Sequence, residues 1–334
     1  MAIDLSYVTF NNGDDVVPGS WVEEVILNTV VANTGDGNDQ ITGVGPGTTI
    51  SSLFSSGIYN SGLLYTENGD DTITGTYDDT EYYLYNANYV SPPNHGRSIY
   101  RDNRGDFYYY PEDPNGPVPL SVYNSGINNS GTIDTGEGDD TISGSNTSNR
   151  GNGIGFIGLD SQDNIAIYNP DNIGIDNGGT IYTRGGNDSI ISQGKFINYG
   201  DVFLGDDNDL GDDDDTITSY GVIYNSGRIE TGNGNDSIIA DTFYAGFDGL
   251  GSVLLGKGND SITGFGNGNF NGGQGVDTLQ LTSGGSYTVV GKSGTAVSFT
   301  MGNSVMNTSD FEIFIAGGTV YDLTELFNGQ IIPA

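Results

Sequence analysis

Thr231 to Ile239 reads T-G-N-G-N-D-S-I-I, a glycine-rich hexapeptide ending in Asp236 that runs into a short apolar segment. The figure returns at Thr34 (T-G-D-G-N-D-Q-I), Thr66 (T-E-N-G-D-D-T-I), Thr135 (T-G-E-G-D-D-T-I) and Thr183 (T-R-G-G-N-D-S-I). It returns again at Leu210 (L-G-D-D-D-D-T-I), Leu255 (L-G-K-G-N-D-S-I) and Gly272 (G-G-Q-G-V-D-T-L). Self-similarity of this kind marks a repeat architecture, in which each unit buries its apolar side against its neighbours.

Working outward, most copies carry N-x-G-x-(apolar) eleven residues before the loop Asp: Asn60 before Asp71, Asn129 before Asp140, Asn177 before Asp188 and Asn225 before Asp236. Gly249 and Gly266 keep that spacing before Asp260 and Asp277, Asn198 precedes Asp215 with six extra residues, and Asn28 before Asp39 is a weaker match. Asn and Gly tolerate the positive φ of turns, so N-x-G reads as one corner and the hexapeptide as the next. Two strands and two corners then make one coil of an all-β, right-handed parallel β-solenoid, β-roll-like, of about nine coils. Loop aspartates follow one another at 32, 69, 48, 27, 21, 24 and 17 residues, and the surplus falls outside the eleven-residue unit, as loops on one face. Inside the gap of 69, Asn103-Arg-Gly-Asp-Phe107 fits the corner pattern, and eleven residues on stands Pro114. That predicts a further coil with a ruined loop, and makes Arg104-Gly105-Asp106 a corner, not an adhesion ligand.

Residues 1–27 read as an N-terminal cap, with strands at Ser6 to Phe10 and from Trp21 around an N-N-G-D-D turn. Residues 28–281 read as the solenoid, with 76–121 a Tyr-rich insertion and degenerate coil. Residues 282–334 read as a β-rich C-terminal cap, with strands at Ser286 to Val290, Ala296 to Met301 and Phe311 to Ala316 and a helical turn near Asp322 to Phe327.

The chain has 44 acidic and 9 basic residues and a net charge of −35, which argues against nucleic acid and against docking on anionic lipid. It has no cysteine and a single histidine, His95, so thiolate sites and the usual zinc and copper sites are not expected. No G-x-S-x-G elbow occurs, and Gly291-Lys-Ser293 lacks the earlier glycine of a phosphate loop, where Ser286 stands. An enzyme is not expected. No apolar run suffices for a membrane helix, and the start M-A-I-D-L-S-Y-V-T-F lacks a signal peptide's basic and apolar regions.

A hexapeptide with alternating glycines exposes backbone carbonyls on a tight curve, and its Asp adds a carboxylate. Coils stacked about 4.8 Å apart would bring two such sets together. Flexible oxygen-only ligation suits Ca²⁺ over Mg²⁺. The loops resemble the G-G-x-G-x-D-x-U-x nonapeptide of RTX (haemolysin-type) calcium-binding repeats, most closely at Gly272 to Leu279. The full unit and the C-terminal block are similar to secreted repeat proteins of cyanobacteria. The resemblance implies Ca²⁺ held by Asp39, Asp71, Asp140, Asp188, Asp215, Asp236, Asp260 and Asp277. Carbonyls of Gly35, Gly37, Gly136, Gly138, Gly232, Gly234, Gly256, Gly258, Gly273 and Gly275 would complete the ligation. With one loop per coil it implies one row of about six ions, divided at the Pro114 coil. It also implies an extracellular or cell-surface protein exported by type I secretion, folding on Ca²⁺.

The expected function is therefore a secreted or cell-surface calcium-binding structural repeat protein. The alternative is a calcium-dependent adhesin that recognises a glycan or surface partner through residues 76–110, which hold Arg97, Arg101, Arg104 and tyrosines such as Tyr82 and Tyr108. An ice-binding solenoid is a weaker reading. The third loop position (Asp36, Asn68, Glu137, Gly185, Asp212, Asn233, Lys257, Gln274) is charged and irregular, and insertions separate the Thr72/Thr74, Thr141/Ser143 and Thr216/Thr218 pairs.

Overall fold

In the computed structural model, the residues described are 2–17, 25–46, 56–78, 99–101, 107–109, 118–119, 125–146, 157–159, 165–167, 173–205, 213–240, 246–281 and 285–333. They form a parallel β-solenoid. Each full coil lays down three strands, not the two implied by the spacing. In the coil of Asp71 these are Ile58–Asn60, Leu63–Tyr65 and Thr72–Asp78. Ser61 and Gly62, within the N-x-G corner, separate the first two, and the strand not foreseen is Ile58–Asn60, which leads into that corner. The next coil repeats the three strands in parallel register: Ile58 opposite Ile127, Leu64 opposite Ile133, Ile73 opposite Ile142. Three parallel sheets result, called first, second and third in the order the chain meets them.

Alternation along each strand sends one set of side chains inward. Ile58, Leu64 and Ile73, then Ile127, Ile133 and Ile142, are fully buried, and equivalents from each coil join one continuous core. The glycine of N-x-G stands at the corner for a different reason than expected. Corner glycines such as Gly131, Gly179 and Gly200 do not have positive φ. A Cβ on Gly200 would lie 1.9 Å from the Gly179 carbonyl oxygen of the coil beneath, so glycine is required by close stacking. Positive φ appears at Gly249 and Gly266, where glycine replaces the Asn, and at Gly268 of the same last corner.

Nor does Asn serve as a left-handed turn residue. Asn28, Asn60, Asn129, Asn177, Asn198 and Asn225 are buried in one column, each of the first five donating Nδ2–H to the next one's Oδ1 at 2.7–2.9 Å. The same amides also donate to backbone carbonyls of the following coil, for example Asn60 to Thr132 O at 2.8 Å. This ladder ties coil to coil inside the corner.

The further coil expected at Asn103 is absent from the stack. The coil of Asp71 pairs directly with the coil of Asp140 in all three sheets. Ile99–Arg101, Phe107–Tyr109 and Val118–Pro119 instead pair antiparallel among themselves. The strands on either side of Asn103 pair with each other and not with the stack, so the N-x-G spacing alone did not mark a coil. Asn103, the Arg104-Gly105-Asp106 tripeptide, Pro114 and His95 lie outside the described residues. Most of the extra chain length collects at one edge as expected: the segments between Asp78 and Ser125, between Asn146 and Ile173 and between Ala240 and Gly246 all run from a third-sheet strand to the next first-sheet strand. The six extra residues before Asp215 instead fall between the second-sheet strand Asp201–Phe203 and the third-sheet strand Thr216–Ser219.

At the start of the chain, Ala2–Asp4 and Val16–Val17 pair in parallel with Val25–Asn28 and Gln40–Pro46, so the N-terminal residues extend the stack itself. The strand expected at Ser6 to Phe10 is replaced by a 3-10 turn at Leu5–Tyr7, and Trp21 lies outside the described residues. At the other end Ser286–Ser293, Ala296–Met301 and Ser304–Ser309 fold as antiparallel hairpins, and Leu323–Glu325 form a 3-10 turn. Closing a parallel stack with antiparallel strands protects its open edge. Among the described residues no helix is long and apolar enough to cross a membrane.

Candidate metal centre

The hexapeptide loop joins each second-sheet strand to the following third-sheet strand. Both of its glycines have positive φ, from +90° at Gly35 to +151° at Gly275. Where the first glycine is missing, Glu67 and Arg184 take the same left-handed conformation at +64° and +65°. The second glycine is fixed by contact as well: a Cβ on Gly138 would stand 2.0 Å from Gly69 O, and one on Gly258 1.6 Å from Gly234 O. The loops therefore stack backbone on backbone. Gly37 N–H donates to Asn68 O, Gly138 N–H to Gly185 O and Gly258 N–H to Gln274 O, at 2.7–2.8 Å.

This stacking brings all eight loop aspartates into one buried column. Each Oδ1 accepts the backbone N–H of the Asp in the preceding coil: Asp39 N–H donates to Asp71 Oδ1 at 2.7 Å, and Asp71 N–H to Asp140 Oδ1 at 2.8 Å. The series continues through Asp188, Asp215, Asp236, Asp260 and Asp277 without a break. The division of the row expected at Pro114 is therefore not there: the eight aspartates make seven consecutive intervals. Sequence reasoning missed the two ends. Asp15 N–H donates to Asp39 Oδ1, and Asp277 N–H donates to Glu312 Oε2, both at 2.8 Å. Asn12-Gly13-Asp14-Asp15 carries the x-G-x-D half of the motif, so the first end was visible; Glu312 carries no motif signal.

The second oxygen behaves differently. Asp39 Oδ2 accepts from the Thr34 hydroxyl. The Oδ2 atoms of Asp71, Asp140, Asp188, Asp215, Asp236, Asp260 and Asp277 are buried with no hydrogen-bond partner. The equivalent threonines donate elsewhere, Thr66 to Thr135 O and Thr231 to Leu255 O. Thr135 lies close enough to favour an ionised Asp140, yet its hydroxyl completes no hydrogen bond. Burial raises the whole column above the usual carboxylate range, outweighing these hydroxyls and the neighbouring N–H donors. Asp71 and Asp236 are pushed up to about 6, Asp188 and Asp260 to about 7, Asp140 to about 8 and Asp215 to about 9. Adjacent carboxylates add to the rise.

A buried, unpaired carboxylate oxygen is costly, and seven in one line call for protons or cations. The donor set is oxygen alone, which suits a hard cation. Among the described residues no three carboxylate, His or thiol side chains converge on one point, so any ion would draw on successive coils and their loop oxygens. Several loop carbonyls already accept hydrogen bonds, Gly256 O from Gln274 N–H at 2.7 Å among them. The Tyr- and Arg-bearing stretch 76–110 is brought into no described site, since most of it lies outside the described residues. No protein-family profile and no curated protein matches the chain.

Proposed function

We propose that the chain is a calcium-binding structural repeat protein, with Ca²⁺ neutralising the aspartate column and fastening each coil to the next. The supporting observation is the line of seven buried, partnerless Oδ2 atoms. Asp39, Asp71, Asp140, Asp188, Asp215, Asp236, Asp260 and Asp277 would supply the anionic ligands, with loop oxygens around them. When bound, the ion supplies positive charge where burial alone drives these groups to hold protons. The chain's own part is to present the oxygens in a preformed row: glycine stacking sets the loops in register, and each Asp N–H fixes its neighbour's Oδ1.

Extracellular Ca²⁺ modules bind at roughly 10⁻⁴ to 10⁻³ M. At about ten times the dissociation constant each independent site adds roughly 1.4 kcal/mol. Several such sites together reach the roughly 5–15 kcal/mol that stabilises an ordinary domain. At cytosolic Ca²⁺ the gain vanishes, and a net charge of −35 opposes compaction. The reading therefore makes this a secreted or cell-surface protein that completes its folding outside the cytosol. Circular dichroism and melting in EGTA and in millimolar Ca²⁺ test it. A large rise in melting temperature with Ca²⁺ is expected; equal melting temperatures would remove the proposal.

A further inference from the structure

The outward face of the third sheet carries a second, different regularity. Its first column runs Thr72, Thr141, Ser189, Thr216, Ser237, Ser261 and Thr278, seven hydroxyl side chains paired in unbroken register. The second column runs Thr42, Thr74, Ser143, Ile191, Thr218, Ile239 and Thr263. The insertions that separate these residues in the sequence do not separate them in space, because the Asp71 and Asp140 coils stack directly. Neighbours within a column stand about 4.8 Å apart, and the two columns about 6.6 Å apart along each strand. All these side chains are at least partly exposed.

The face is also uncharged, on a chain with 44 acidic residues. Between Gln40 and Leu281 the strands of this sheet hold one charged residue, Asp78, at a strand end. The outer positions of the other two sheets carry Asp176, Asp201, Arg228, Glu230 and Asp248. No aromatic ring is exposed among the two columns to stack against a sugar. What remains is a two-dimensional lattice of hydroxyl groups, with methyl groups where the residue is Thr or Ile, whose branched carbons restrict their rotamers; Ser143, Ser189, Ser237 and Ser261 supply a hydroxyl alone.

We infer that this face binds the surface of ice. Solid water is an uncharged array of hydrogen-bonding oxygens that repeats over a few ångströms. Many weak contacts made at once, by groups already held in place, are what adsorption to such a lattice needs. A carboxylate would instead hold water in its own hydration geometry, which accounts for the absence of charge from this one face.

The test uses the full chain in millimolar Ca²⁺, with folding followed by circular dichroism. Ice crystals grown with the protein should be shaped, and a gap should open between melting and freezing. Thr218→Lys and, separately, Thr141→Lys should lose that gap while keeping the parent's melting temperature. Thr180→Lys, on the outer face of the second sheet, should leave it unchanged. A folded parent chain that neither shapes ice nor opens a gap overturns the inference, whatever its Ca²⁺ response. So does equal loss in Thr180→Lys, or binding to an insoluble uncharged polysaccharide with no effect on ice.

Discussion

Each loop aspartate uses its two oxygens for different purposes, and substitutions can separate them. Asp236→Asn keeps an Oδ1 for the Asp215 N–H and removes the unpaired Oδ2 charge. In EGTA it should be neutral or stabilising, and it should reduce the gain from Ca²⁺. Asp236→Ala removes the acceptor as well, leaving a buried N–H, and should cost about 1–3 kcal/mol with or without Ca²⁺. Urea titrations of both variants in both buffers check this. The raised carboxyls also fix the sign of a pH effect in chelator. Asp140, pushed up to about 8, and Asp215, to about 9, bind protons more tightly in the folded chain than at the ordinary 3.8. Their stabilising contribution is complete below pH ~4 and lost as pH rises through the folded values. The chelated protein should therefore melt at lower temperature at pH 9 than at pH 5, a slope that millimolar Ca²⁺ flattens or inverts. A melting temperature in chelator that rises across that range contradicts the reading.

At the scale of the coil, the corner is held by stacked glycine and stacked amide. Gly200→Ala should cost about 1–3 kcal/mol by overpacking, since its Cβ meets the Gly179 carbonyl. Asn177→Ala removes the donor to Asn198 Oδ1 and the acceptor for Asn129 Nδ2, and should also cost about 1–3 kcal/mol. Thermal melts rank both against the parent chain. The repeat and its eleven-residue spacing were legible because they recur with Asn60, Asn129, Asn177 and Asn225. The cause assigned to them was not. Propensity assigns Asn and Gly to left-handed turns, whereas contact between neighbouring coils selects them here, and single-chain patterns do not display contact. The third strand per coil escaped because the spacing argument counted only the segments after its two corners, and Ile58–Asn60 lies before the first.

For the whole molecule, the eight aspartates were legible as a set from their invariant place in the loop, and the fold follows from that periodicity. What misled was the segment between Asp71 and Asp140. N-x-G at Asn103 imitates a corner, yet pairing runs straight from Thr72 to Thr141 and from Asp71 to Asp140. The segment is thus dispensable to the stack, and replacing residues 80–122 by a short Gly/Ser linker should preserve both the melting temperature and the Ca²⁺ response. Loss of cooperative melting in that variant would instead make the segment part of the core. The central claim is that the aspartate column is a row of calcium sites. Anomalous diffraction from crystals grown in Ca²⁺ addresses it at the atoms concerned. A series of ions between successive loops, about 2.3–2.6 Å from the Oδ2 atoms that lack partners, is predicted. A fully folded chain in millimolar Ca²⁺ whose column holds no ions would contradict it.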